Sequence, residues 1–255
     1  MILDIDAGNT RLKWVLHNGD IDVPMDRGWV ANTDLAAWLD ERKWQGLEEV
    51  RLASVAGATT DLLCRWANSH EVRLKVAMVV DGAAGVRCAY RDPARLGVDR
   101  WLALLAARQH CSEPCLVIDA GTALTVDLLG RDGVHEGGYI APGLALMAKA
   151  LGSNTWGVRV ESTQQDNLLP GVDTAQAVGH GCLAAAVGMV AGVARSRGVL
   201  TLLLTGGDAQ LLAEHLKQWC EGASVCVVEN LVLKGLDIAL SLEGSLAGNQ
   251  EFRSI

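Results

Sequence analysis

The chain has 255 residues, half of them apolar, and 22 Lys and Arg against 30 Asp and Glu give a net charge of -8. That length suits one large domain or two compact ones, and that charge argues against a general nucleic-acid backbone binder, which needs basic counter-charge. A small anionic ligand stays open, because a local site can be electropositive within an acidic whole.

The seven cysteines include no C-x-x-C pair, and the chain begins with a buried-strand pattern where a secretory signal would stand; a reduced, cytoplasmic protein with mostly buried thiols is expected. His110-Cys111 with Cys115 lacks the spacing of a zinc knuckle and has no second pair. No apolar stretch reaches the roughly 20 residues of a membrane span without a polar break. The Ala- and Gly-rich segment 177–194 comes nearest, but Gly179-His180-Gly181 interrupts it and a buried helix accounts for it better.

Taken in order, 1–7 and 11–17 read as strands with a turn at Asn18-Gly19. Residues 33–44 carry Leu35, Trp38, Leu39 and Arg42 at helical spacing behind a cap at Asn32 or Thr33. Strand 49–56, helix 59–69 and strand 72–80 follow, then a Gly-rich irregular stretch, 81–98, that is a candidate functional loop. Residues 100–110 are helical. A hairpin restarts at Leu116, turns at Asp132-Gly133 and ends near Tyr139-Ile140, and Pro142-Gly143 opens a helix through about Leu151. Residues 152–172 read as loop, 173–195 as a long helix, 199–205 as strand, 208–219 as helix, 224–228 as strand and 231–242 as helix, with a polar tail from Gly244. Trp38, Trp66 and Trp219 sit on presumptive helix faces and read as core. No low-complexity linker divides the chain, so two halves, 1–112 and 113–255, are expected to pack across a cleft.

The tetrad Ile5-Asp6-Ala7-Gly8 recurs as Ile118-Asp119-Ala120-Gly121. In each copy an apolar run delivers a carboxylate to a strand end, a glycine lets the chain turn, and an alternating run follows. Small residues admit an anion, backbone N–H and hydroxyl groups bond its oxygens, and the aspartate positions a cation or its water shell. Two ordinary hairpin turns would carry the same letters. No G-x-x-x-x-G-K-[ST] occurs, and Lys13 follows Gly8 on a strand, so a Walker-type loop is excluded and hairpin loops are left as the cradle. Phosphoryl transfer also needs a carboxylate beside the acceptor hydroxyl. Leu96-Gly97-Val98-Asp99-Arg100-Trp101 supplies one: Asp99 to accept the proton, Arg100 to fork onto an acceptor carboxylate. Plain capping of a helix start is the other reading of that Asp-Arg pair.

Asp6-Ala7-Gly8-Asn9-Thr10-Arg11-Leu12-Lys13, Gly97-Val98-Asp99-Arg100, Asp119-Ala120-Gly121-Thr122-Ala123 and Gly137-Gly138-Tyr139-Ile140-Ala141-Pro142-Gly143 stand in the order and spacing of the type III pantothenate kinase family, which the chain resembles from residue 2 to about 240. Thr174 before Ala177-Val178, and Thr205-Gly206-Gly207-Asp208, add to the likeness. The resemblance implies an α/β fold of the acetate and sugar kinase, Hsc70 and actin superfamily: two ribonuclease-H-like halves, duplicated mixed sheets flanked by helices, around a nucleotide cleft. It implies ATP-dependent phosphorylation of pantothenate to 4'-phosphopantothenate, the first step toward coenzyme A. By that likeness, residues Asp6 to Lys13 form the first ATP phosphate loop, Asp6 bears on the Mg²⁺-nucleotide, and Thr122 touches the ATP phosphates. Asp99 is the general base, Arg100 with Gly97 and Val98 lines the pantothenate pocket, and Tyr90 contacts pantothenate. Asp119 coordinates a monovalent cation, K⁺ or NH₄⁺. Thr174 reaches pantothenate from the second subunit of a homodimer, and Gly206 and Gly207 let the nucleotide lie close to the backbone. The loop 152–172 has no motif to carry over. Two alternatives remain: another small-molecule kinase or phosphatase of the superfamily, which an acceptor screen separates, and a nucleotide-binding regulatory protein, which binds ATP without turning over an acceptor.

Overall fold

The computed structural model describes residues 1–154 and 167–246. It holds two five-stranded sheets of one design. In the first, β1 (Ile2–Ala7) pairs antiparallel with β2 (Arg11–His17), which pairs with β3 (Asp26–Ala31); on its other side β1 runs parallel to β4 (Glu49–Ser54), and β4 to β5 (Arg73–Val76). In the second, β6 (Cys115–Ala120), β7 (Ala123–Leu129) and β8 (His135–Pro142) form the antiparallel run, and β9 (Thr201–Thr205) and β10 (Ser224–Val227) the parallel side. Both sheets therefore read 3-2-1-4-5, which bears out the expected duplicated ribonuclease-H-like halves.

The chain divides into two compact units, Met1–His110 with the C-terminal helix α7 (Leu231–Leu246), and Cys111–Asn230. The expected division gave 113–255 to one half; the last helix instead returns to the first unit. There α7 buries Leu231, Val232, Leu233, Leu236 and Leu240, each such side chain stabilising by roughly 1.5–3 kcal/mol. It packs along α3 (Val98–His110) so closely that a Cβ on Gly235 would stand 1.9 Å from the Leu102 carbonyl oxygen. Asp237 of α7 accepts from Arg51 of β4 at 2.7 Å.

Pleat alternation assigns the faces of the first sheet. Leu3, Ile5, Leu12, Trp14, Val50 and Leu52 form one core with α1 (Leu35–Glu41) and α2 (Gly57–Ser69). Asp4, with Arg51 as its register partner, lies on the opposite face, which α7 contacts. Trp14, Trp38, Trp44 and Trp66 make a chain of ring contacts 5.1–5.9 Å apart, with the Arg42 guanidinium 4.2 Å from the Trp14 ring. Trp38 and Trp66 thus behave as expected, whereas Trp219 at the end of α6 (Ala209–Trp219) is 46% exposed.

Strand β3 has no sequence signal and was not expected. Its Gly28 faces Trp14, where a Cβ would come within 2.9 Å of the indole, and its Trp29 is exposed. Helix α3 begins at Val98, two residues early, so Asp99 and Arg100 belong to its first turn. Helix α4 (Leu144–Asn154) runs beyond the expected Leu151; the rest of the expected loop 152–172 lies outside the described residues as far as 166, as does the tail from 247. Helix α5 (Thr174–Arg197) is long and apolar enough to cross a membrane by length and composition, and 56% of its most apolar window is buried in the second core.

Candidate active site

The first unit carries the first hairpin loop. Asp6 of β1 faces Lys13 of β2, and Lys13 faces Trp29 of β3, in register. Asp6 lies two residues beyond Asp4, so both carboxylates belong to the sheet face that α7 contacts. The turn closes through Gly8 N–H donating to the Arg11 carbonyl at 3.2 Å, and Asn9 and Thr10 are exposed at its tip. Asn32 does not cap a helix: it opens a short 3₁₀ turn, Asn32–Asp34, and neither that turn nor α1, which starts at Leu35 behind Asp34, has a side-chain cap bond. Its amide Nδ2 instead donates to the Gly8 carbonyl at 2.9 Å and the Asn9 carbonyl at 3.1 Å. Sequence reasoning missed this contact, since nothing local marks a bond across 24 residues.

The same unit holds the residues expected at the acceptor. Asp99 accepts the Arg100 backbone N–H on Oδ1 at 2.8 Å, using one of the donors that a helix start leaves unpaired. Gly97 is bare because a Cβ there would lie 2.6 Å from that same Oδ1, and its carbonyl accepts from Trp101 N–H at 3.0 Å. Arg100 is buried, and its Nη1 donates to the Tyr90 hydroxyl at 3.1 Å. Tyr90, Val98, Asp99 and Arg100 are thereby drawn to one helix start, and Tyr90 itself is steadied by its N–H donating to the Cys88 Sγ at 3.4 Å.

Behind Asp6, buried charge ties sheet to helix. Asp4 bonds His17 at 3.1 Å, both fully buried, and burial pushes the Asp4 carboxyl up despite the opposing pull of His17 and Arg51. Burial also works against Glu49, but bonds from Arg51 at 2.7 Å and Lys75 at 3.0 Å outweigh it and hold that carboxyl below its ordinary value. The second unit has its own buried pair, His135 with Asp127 at 2.9 Å.

The second loop lies in the second unit. Asp119 of β6 has Thr125 and Thr205 as register partners. Gly206, at φ +100°, leaves room for it: a Cβ there would lie 2.4 Å from the Ala120 carbonyl oxygen and 2.5 Å from Asp119 Oδ1. The bareness of Gly206 is thus required by the loop itself. Gly143 N–H donates to the Thr122 carbonyl and Asp208 N–H to the Ala120 carbonyl, both at 2.9 Å. Thr122 is exposed at the turn. Thr174 belongs to a different element, exposed in the first turn of α5, which Asp173 caps by accepting from Gln176 N–H at 2.8 Å.

Among the described residues no group of three or more His, Cys, Asp or Glu could hold a metal ion. A carboxylate at a strand end, as at Asp6, suits Mg²⁺, which keeps several waters and binds through one or two carboxylates plus substrate phosphates rather than in a protein cage.

The sequence model of the type III pantothenate kinase family matches residues 2–196. A type III pantothenate kinase of Pseudomonas paraeruginosa is 36% identical, over 95% of this chain and 100% of that one. Among solved structures, a Baf family protein from Campylobacter jejuni superposes with a TM-score of 0.62 at 19% identity, over 95% of this chain and 99% of that one. The activator of the 2-hydroxyisocaproyl-CoA dehydratase from Clostridium difficile, with bound ADPNP, gives 0.53 at 13% identity over 99% of both chains. These two show a shared fold. By the family match and by its likeness to a curated relative along nearly its whole length, the chain belongs to the type III pantothenate kinase family.

Proposed function

We propose that the chain transfers a phosphoryl group from ATP to the primary hydroxyl of pantothenate, giving 4'-phosphopantothenate for coenzyme A synthesis. Family membership supports the reaction class, and one observation carries the acceptor: the Arg100–Tyr90 hydrogen bond beside Asp99 at the start of α3, a cationic and phenolic pair suited to a small carboxylate-bearing hydroxyl compound.

Bound MgATP supplies the phosphoryl group. Asp99 accepts the acceptor hydroxyl's proton as that oxygen forms its bond to phosphorus and the bond to ADP breaks. Arg100, Tyr90, Gly97 and Val98 orient pantothenate. Residues 6–13 receive the phosphates, Asp6 bears on the Mg²⁺ hydration shell, Lys13 offsets developing negative charge, and Thr122 contacts phosphate oxygens. Asp119 holds a monovalent cation, K⁺ or NH₄⁺, its carboxylate placed by the space at Gly206.

The enzyme acts as a cytoplasmic homodimer in which Thr174 completes the partner's pantothenate pocket. All seven cysteines are thiols, which supports a reducing compartment. The purified chain should release ADP from ATP in proportion to added pantothenate, with a product heavier by one phosphate. ADP release that ignores pantothenate, or that follows a neutral sugar instead, overturns the assignment.

A further inference from the structure

We propose that Asn32 is a positioning residue that sets the first loop for phosphate, an inference that rests on residues 6–13 being the phosphate loop. Asn32 takes three successive carbonyls: Nδ2 donates to those of Gly8 at 2.9 Å and Asn9 at 3.1 Å, and its backbone N–H donates to that of Thr10 at 3.3 Å. The described residues contain no cis peptide bond, and in a trans peptide the carbonyl and the following N–H point in opposite directions. Drawing the Gly8 and Asn9 carbonyls onto one amide therefore turns the Asn9 and Thr10 N–H groups the other way, together. Successive N–H groups aimed to one side form the concavity that receives anion oxygens.

Asn32 Oδ1 is buried with no hydrogen-bond partner among the described residues, an unfavourable state for an amide oxygen, and the side chain caps neither helical start near it. Alanine would remove donors and orphan alike, so the fold should lose little while the loop loses its set.

The experiment compares Asn32→Ala, Asn32→Asp and Lys13→Ala with the unaltered 255-residue chain, measuring KM for MgATP, KM for pantothenate and the thermal midpoint. Asn32→Ala should raise KM for MgATP about tenfold, as two lost hydrogen bonds predict, with KM for pantothenate and the thermal midpoint nearly unchanged. Asn32→Asp, which keeps the shape but sets a carboxylate against two carbonyl oxygens, should raise it further. If Lys13→Ala weakens MgATP and both Asn32 variants do not, the role of Asn32 is overturned alone. If Lys13→Ala leaves MgATP unaffected as well, the phosphate-loop reading falls and this proposal with it. Equal rises in both KM values with a lowered midpoint would mean that Asn32 merely supports the fold, and would also overturn it.

Discussion

The two hairpin loops share a tetrad, a strand pattern and a backbone clasp, but differ in how tight that clasp is and in what is added to it. In the first unit the backbone N–H groups of Asn32 and Val55 donate to the Thr10 and Ala7 carbonyls at 3.3 and 3.5 Å, and a side chain adds to them: Asn32 Nδ2 reaches across from the end of β3 to the Gly8 and Asn9 carbonyls. In the second unit the clasp is tighter: the N–H groups of Gly143 and Asp208 stand 2.9 Å from the Thr122 and Ala120 carbonyls, and bare glycines admit them. A Cβ on Gly143 would lie 2.1 Å from the Gly121 carbonyl oxygen, while one on Gly8 of the first loop would lie 3.2 Å from that of Arg11. A backbone clasp has no rotamer with which to yield, so one design has become sensitive to different substitutions in its two copies.

Neither loop contains the proposed base, and Asp99→Asn sets the upper scale of effect. Its side-chain oxygen can still accept the Arg100 N–H, so folding and KM should be kept while kcat falls roughly 10²- to 10⁴-fold; turnover at the unaltered rate in the coupled ADP assay contradicts the assignment. The contrast between the loops is tested next. Gly143→Ala and Gly206→Ala force a carbon into backbone and should each cost about 1–3 kcal/mol in denaturant unfolding, whereas Gly8→Ala should cost less than about 1 kcal/mol. Equal losses would erase the distinction drawn here.

Exchange of K⁺ for Na⁺ is expected to lower kcat severalfold through Asp119, and an enzyme indifferent to the cation removes that role. The smallest effect concerns Asp4. Its carboxyl is raised above 3.8, chiefly by burial, so ionising it costs the folded state progressively more as pH rises through the folded value. Asp4→Asn should therefore match the unaltered protein near pH 4 and exceed it in stability at pH 8, with urea midpoints as the measure. Glu49, held below 4.5, works in the opposite sense: its stabilisation is present above that value and is lost as pH falls through the lower folded one.

Much of this was legible because it is local. Period-two alternation ending in Asp-Ala-Gly locates β1, β2, β6 and β7, and Pro142-Gly143 marks the start of α4. What escaped depends on distant partners. Strand β3 has an exposed Trp29 and a glycine that serves the Trp14 indole, so its own pattern says little. Asn32 before Leu35 has the letter of a helix cap, yet its donors go to a loop in another part of the chain. The return of α7 to the first unit follows from Gly235 against Leu102 and Asp237 against Arg51, pairs that no window of sequence contains. Gly206 likewise gave no sign that its space belongs to Asp119.

Backbone hydrogen exchange with and without MgATP tests the central claim, that both loops receive nucleotide phosphates. Slowed exchange in peptides spanning 8–13 and 119–122, reversed when the nucleotide is removed, is the predicted result. Exchange that stays unchanged in both peptides while MgATP is bound, or protection confined to other segments, would contradict it.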